Sequence, residues 1–144
     1  MNSGAGIRDL IDERARAVRC QDSSTLAGRP TDDVITFDLL PPLVSRGRRA
    51  MIDHLHRWFD GFAGPIDYRV RDVVVSAEEN LGFASFSYHV GGTLKSGDSV
   101  HMWVRATLCC RLVDGVWRIV HDHESVPFDP ASGQALISLP PETR

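Results

Sequence analysis

No run in this sequence comes near the ~20 consecutive apolar residues that a bilayer-spanning helix requires, and no membrane partner is expected. Cysteine is scarce. The three present, Cys20, Cys109 and Cys110, give neither a disulfide framework nor a C-x-x-C metal spacing. Cys109 and Cys110 are chain neighbours in a stretch that reads as a strand, so their side chains point to opposite faces and are expected to serve as packing. A Gly-rich phosphate loop and a dinucleotide fingerprint are both missing. Gly91-Gly92 reads as a turn, and no cofactor is expected. Basic residues are dispersed and the formal net charge is −3. Nothing there builds the stripe that a phosphate backbone demands, so nucleic acid is not an expected partner. Ile7 to Cys20 mixes charged and apolar residues instead of following the charged-then-apolar order of a secretory leader, which makes a cytoplasmic location the expectation.

What is present suits one domain around one core: 144 residues, 42% hydrophobic and 24% charged. Ile7, Leu10, Ile11, Ala15 and Val18 recur at helical spacing with charges between them, which predicts an amphipathic helix. Ser23 to Arg29 reads as a short helical turn before Pro30. Val34 to Asp38 is β-branched and aromatic, a first strand. Pro41-Pro42 keeps Leu39 to Ser45 from being a regular central strand. After Gly47, the residues Met51, Leu55, Trp58 and Phe62 at i, i+4, i+7 and i+11 predict a second strong helix, closed by Gly61 and Gly64-Pro65.

From Ile66 the period changes to two. Strands are expected over Ile66 to Ser76, Leu81 to Val90, Val100 to Val113 and Val116 to Ser125. Asp114-Gly115 between the last two is a strong hairpin signal. The order of elements defines an α+β fold, with helices on one face of a curved antiparallel sheet. The concave side of such a sheet is a natural place for a pocket. The core of this single domain is read as residues 5–128, and residues 129–144 as a loosely held tail.

Four features recur together near the end of the chain: Arg105-Ala106-Thr107, the Asp114-Gly115 turn, Trp117-Arg118-Ile119-Val120-His121-Asp122-His123, and Ser125-Val126-Pro127. This R-x-T, D-G, W-x-I-V-H-x-H and S-x-P set resembles SnoaL-like and ketosteroid-isomerase-like domains of the nuclear-transport-factor-2 superfamily. Val34 to Asp38, Gly47 and the helix from Ile52 to Phe59 fall where that superfamily has its first strand and third helix. The resemblance implies a conical, cystatin-like roll with a deep pocket, assembled as a homodimer across the sheet. Its members include isomerases, polyketide cyclases, epoxide hydrolases, dehydratases and association domains without turnover.

The candidate site residues follow from strand alternation. His101, Trp103, Arg105 and Thr107 share one face of their strand, and Val100, Met102, Val104, Ala106 and Leu108 the other. Two readings stay open. The polar face lines the pocket, where Arg105 binds an anionic or enolate oxygen, or it meets a second subunit. His121 and His123 have the parity of Trp117 and Ile119, which puts Asp122 on the opposite side. A metal on this H-x-H pair needs a third ligand from His89, His101 or a carboxylate. None is evident, and no metal is expected. The pair is then split between a hydrogen-bonded core residue and a pocket-rim residue, or serves as general acid or base. His89 and Tyr88 point to opposite faces, each a structural residue or a donor to a substrate oxygen. Trp58, Phe59 and Phe62 form an aromatic wall, read as core or as the seat of a flat ligand. The resemblance adds Asp38, which stands where ketosteroid isomerases carry a proton-abstracting carboxylate on an early element.

Together these readings describe a cofactor-free isomerase, cyclase or dehydratase acting on a hydrophobic, polyketide-like carbonyl compound. Asp38, Arg105, His121 and His123 would be catalytic, and Trp58, His89, Trp103 and Thr107 would bind the ligand. The competing reading is a ligand-binding or oligomerisation domain without turnover. Titratable groups in the pocket lining separate the two.

Overall fold

The amphipathic pattern at the start of the chain folds as helix α1 (Ser3–Arg19) in a computed structural model that describes residues 3–142. Its stripe of Ile7, Leu10, Ile11 and Val18 is buried. Each such side chain contributes roughly 1.5–3 kcal/mol by leaving water. Helix α2 (Ser23–Ala27) begins at Asp22, whose carboxylate accepts the Thr25 N–H at 3.1 Å and the Thr25 hydroxyl at 2.6 Å. Strand β1 (Pro30–Phe37), the two-residue β2 (Ser45–Arg46) and helix α3 (Arg48–Asp60) follow. Then come β3 (Asp67–Glu78), β4 (Leu81–Thr93), β5 (Ser99–Val113) and β6 (Val116–Ser125). Asp114 and Gly115 both take positive φ, 51° and 80°, which is the turn chemistry of a tight hairpin.

All six strands form one sheet in the order β2-β1-β6-β5-β4-β3. Neighbours are antiparallel except β1 and β6, which run parallel with Thr36 beside Asp122. The first strand thus lies against the last. Helices α1 and α3 cover the inner face, where Phe86, Val90, Val104, Ala106 and Leu108 are buried. Close approach of α1 to β6 depends on Gly6, because a Cβ there would fall 2.5 Å from Trp117 Cδ1. The α+β class and the curved sheet over N-terminal helices are as the sequence predicts.

Among the described residues register shifts interrupt three strand pairs, between Pro30 and Ile35 of β1 and at two bulges that bear on the site. In β3 the register shifts between Arg71 and Val74, with Asp72 at φ 58°. In β6 Cys109 opposes His121 while its neighbour Cys110 opposes Ile119, so Val120 is an extra residue. An inserted residue reverses the alternation beyond it. Trp117 and Ile119 point inward before the bulge, and Asp122 is buried after it.

The free edge at β3 is covered by arginine side chains from α1. Arg19 Nη1 donates to the Tyr68 carbonyl at 3.0 Å and Arg8 Nη2 to the Val73 carbonyl at 3.4 Å. The segment expected to be a loose tail is instead tied down through residue 137. The Leu136 N–H bonds the Pro127 carbonyl, and the Trp103 N–H of β5 bonds the Ile137 carbonyl at 2.8 Å. Unpaired donors at the end of β5, past the reach of β6, account for this docking. No helix among the described residues is long and apolar enough to cross a membrane.

Candidate active site

The apolar stripe of α1 contains one charge. Arg14 falls at i+3 from Ile11 and i−4 from Val18, and its side chain is only 14% exposed. Its Nη2 lies 2.7 Å from Oδ2 of Asp122, which the β6 bulge turns inward at 3% exposure. Removing such a pair from water costs several kcal/mol per ion before their attraction offsets it. The pair is also incompletely satisfied. Arg14 Nε and Nη1, Asp122 Oδ1 and the nearby Thr36 Oγ1 are buried without a hydrogen-bond partner in the protein. Four unsatisfied polar atoms in one interior mark this cluster as a candidate site.

Glu124, the next inward residue of β6, extends the cluster. The Tyr88 hydroxyl donates to its Oε1 at 2.7 Å, and the Tyr88 ring packs on Tyr68 with centroids 4.6 Å apart. Burial, then the neighbouring Asp122 carboxylate, pushes the Glu124 pKa up to about 8 against the pull of Arg14. Glu124 is therefore mostly protonated at neutral pH, and its carboxylic acid is a hydrogen-bond donor. Burial raises Asp122 as well, with Arg14 opposing. The phenols of Tyr68 and Tyr88 are raised chiefly by burial and stay neutral. For Arg14, burial acts to lower its pKa, but the Asp122 carboxylate together with Tyr68, Glu124 and Tyr88 outweighs it, so the guanidinium stays charged.

Asp38 follows β1 with the inward parity of Val34 and Thr36, and both Asp122 and Glu124 feel its charge. His54 of α3 places Nε2 3.3 Å from Asp38 Oδ2, with the two side chains 17% and 21% exposed. The Leu40 N–H donates to Asp38 Oδ1 at 3.3 Å. A carboxylate oriented by a histidine and a backbone donor is equipped to take up and release a proton. Trp58 packs against Phe59 and Phe62, each at 5.4 Å, on the core side of α3.

The remaining expected site residues stand elsewhere. Arg105, Thr107, His121 and His123 lie on the outer face of the sheet, apart from Asp38. The reason is the Val120 bulge for the histidines, and for β5 the packing of its apolar face on the helices. Arg105 donates to the Ser125 hydroxyl at 2.7 Å, and His121 Nδ1 is 2.7 Å from the Ile35 carbonyl. Phe37 meets the rings of His121 and His123 edge-on. His89 and Trp103 are also on the outer face, their rings 5.1 Å apart, with His89 3.3 Å from Asp67. Among the described residues no three His, Cys, Asp or Glu side chains converge as metal ligands. Cys110 points inward, and burial pushes its thiol up to about 12, while Cys109 takes the outer face.

Arg14, His54, Tyr68 and Glu124 were missed by sequence reasoning. The signal for Arg14 was present, since a charge inside an apolar stripe must find a buried partner. No comparable signal marks the extra residue in β6.

A curved six-stranded sheet with helices over a polar cluster on its inner face defines the class, an α+β domain. Residues 7–129 match the SnoaL-like domain, and the chain belongs to that family. It is similar to an NTF2-like protein of unknown function from Pseudomonas putida KT2440, at 29% identity and a TM-score of 0.89 over 96% of each chain. A ketosteroid isomerase-like protein from Erwinia carotovora atroseptica SCRI1043 shares the fold at 17% identity, TM-score 0.74, over 87% of this chain and 97% of that one. So does a hexachlorocyclohexane dehydrochlorinase, LinA type 2, at 14% identity and 0.75, over 94% and 89%. No curated protein matches the chain in sequence.

Proposed function

We propose that this chain is a cofactor-independent acid–base enzyme, an isomerase, cyclase or dehydratase acting on a hydrophobic, polyketide-like carbonyl compound. The observation that carries the reading is the buried Arg14–Asp122–Glu124–Tyr88 cluster with its orphaned polar atoms, because packing alone gives no reason to bear that cost. Asp38, oriented by His54, takes the proton beside the carbonyl. The free N–H groups of Arg14 and the acid of Glu124, steadied by Tyr88, stabilise the oxygen that gains charge. Trp58 and its aromatic neighbours flank the apolar body of the ligand. The test is α-proton exchange in D2O, followed by NMR over a panel of cyclic and polyketide-like ketones. The protein should accelerate exchange for part of the panel, and Asp38→Asn should lower the rate by about 10²–10⁴-fold. Failure of the folded wild-type protein on the whole panel would count against proton abstraction.

The outer face supports a second element of the reading, a homodimer. Val74, Leu81 and Phe83 are each about half exposed and lie together where β3, β4 and β5 pair near the 79–80 turn. A contiguous apolar patch of this kind is suited to a second copy of the chain. Thr107, Cys109 and His123 border it through the pairs Phe83–Cys109 and Thr107–His123.

A further inference from the structure

We propose that a groove at the opposite end of the outer face, curling over the β3 edge toward α1, binds an aromatic organic phosphate. It encloses about 630 Å³ and is lined by Arg16 and Arg19 from α1, Arg69 and Arg71 from β3, and Trp103 from β5. That volume suits a drug-sized ligand. Asp12 is the one carboxylate among the lining residues, so the groove is strongly positive on a chain whose net charge is −3.

Two of the four guanidinium groups are already committed. Arg19 holds the Tyr68 carbonyl, and Arg69 lies 3.2 Å from Asp67 and 3.4 Å from His89. Arg16 and Arg71 have no carboxylate partner among the described residues. This sets them apart from Arg14, Arg29, Arg48 and Arg49, which are paired with Asp122, Glu13, Asp32 and Asp53. One unmatched arginine on the helix wall and one on the sheet wall call for a group with two negative charges, and a phosphate monoester matches the guanidinium fork.

The aromatic part follows from Trp103. Its ring is half-buried, braced edge-on by His89, and has the Arg71 guanidinium 6.0 Å from its centroid. A planar ligand against this indole leaves its phosphate within the arginine pair. Addition of a peptide strand at this edge is disfavoured, because the Tyr68 and Val73 carbonyls already accept from Arg19 and Arg8. The apolar patch assigned to a second copy lies further along the same strands. Phe83 pairs with Cys109 while His89 pairs with Trp103, six residues away, so both surfaces can be used at once.

The experiment is a titration of the full chain with phenyl phosphate, inorganic phosphate and benzyl alcohol, followed by calorimetry and tryptophan fluorescence at low salt. Phenyl phosphate is expected to bind at least about tenfold more tightly than either fragment, and less tightly as salt is raised. Arg16→Gln with Arg71→Gln should weaken it at least about tenfold. Trp103→Leu should weaken phenyl phosphate and spare inorganic phosphate, and Trp103→Phe should restore part of the loss. Thermal melts show that each variant is folded. Equal affinity for phenyl phosphate and benzyl alcohol, or an unchanged affinity in the double arginine variant, overturns the proposal. A loss of binding in Glu124→Gln, which touches only the interior, also overturns it by placing the ligand inside the cone.

Discussion

The inner and outer faces of this sheet carry similar residue types and use them in opposite ways. On the inner face Arg14, Asp122, Glu124 and Tyr88 are few, enclosed and tied to one another, and burial moves the carboxyl groups away from their ordinary pKa range. On the outer face Arg105, His121, His123 and Arg71 are more exposed and bond to backbone, serine or an aromatic ring. The difference teaches that enclosure gives a titratable group its chemistry here, and residue type alone does not. In water the same charges would be screened to about 1 kcal/mol or less.

The sharpest break in this comparison is at the ion pair. Asp122→Ala should destabilise the fold by about 3–5 kcal/mol in urea unfolding, because it leaves the Arg14 charge buried and unpaired. His123→Ala, one residue away on the other face, should change stability by no more than about 0.5 kcal/mol. Replacing the whole pair, with Arg14→Met and Asp122→Leu together, should recover most of the loss. If Asp122→Ala alone were near neutral, the cluster would not be dry and the contrast between the faces would fail.

A smaller effect comes from protons. A glutamate in the unfolded chain titrates near 4.3, whereas Glu124 in the folded protein titrates at about 8. Between those values the native state holds the extra proton. The stability that proton carries is therefore fully present below pH 4.3 and is lost as pH rises through 8. Stability measured at pH 5, 6.5 and 8 should show this decline in the wild type, and Glu124→Gln should flatten it. An identical slope in the variant would assign the titration to another group.

Much of the fold was legible because it rests on local pattern. The periodic stripes of α1 and α3, the Asp114-Gly115 turn and the alternation in β4 and β5 each fix an element without knowledge of its neighbours. The parallel placement of β1 beside β6 rests on long-range pairing and left no local mark. The site was legible only in part, for a physical reason. Asp38 could be placed from the order of elements, but the face of Asp122 depends on Val120, and a bulge is decided by how two strands pair. One inserted residue exchanges His121 and His123 for Asp122 and Glu124, and every later inward assignment with them. Bulges are thus where strand alternation stops predicting which face a side chain takes.

The smallest effect on folding, and the one that sharpens the role of the outer face, comes from Phe83. Its ring is 48% exposed, on the side away from the Arg14 cluster. Phe83→Glu should change the unfolding free energy of the chain by no more than about 0.5 kcal/mol, since little burial is lost. In a dimer joined through Val74, Leu81 and Phe83, the same substitution sets two carboxylates into one apolar contact related by a twofold axis. Like charges brought together in that way cost several kcal/mol, enough to shift a dimer to monomers at micromolar concentration. Light scattering coupled to gel filtration reads the outcome directly. A wild-type dimer that Phe83→Glu converts to a folded monomer assigns the apolar end of the outer face to assembly. A wild-type monomer, or a dimer indifferent to the substitution, would leave the inner face as the sole basis of the functional reading.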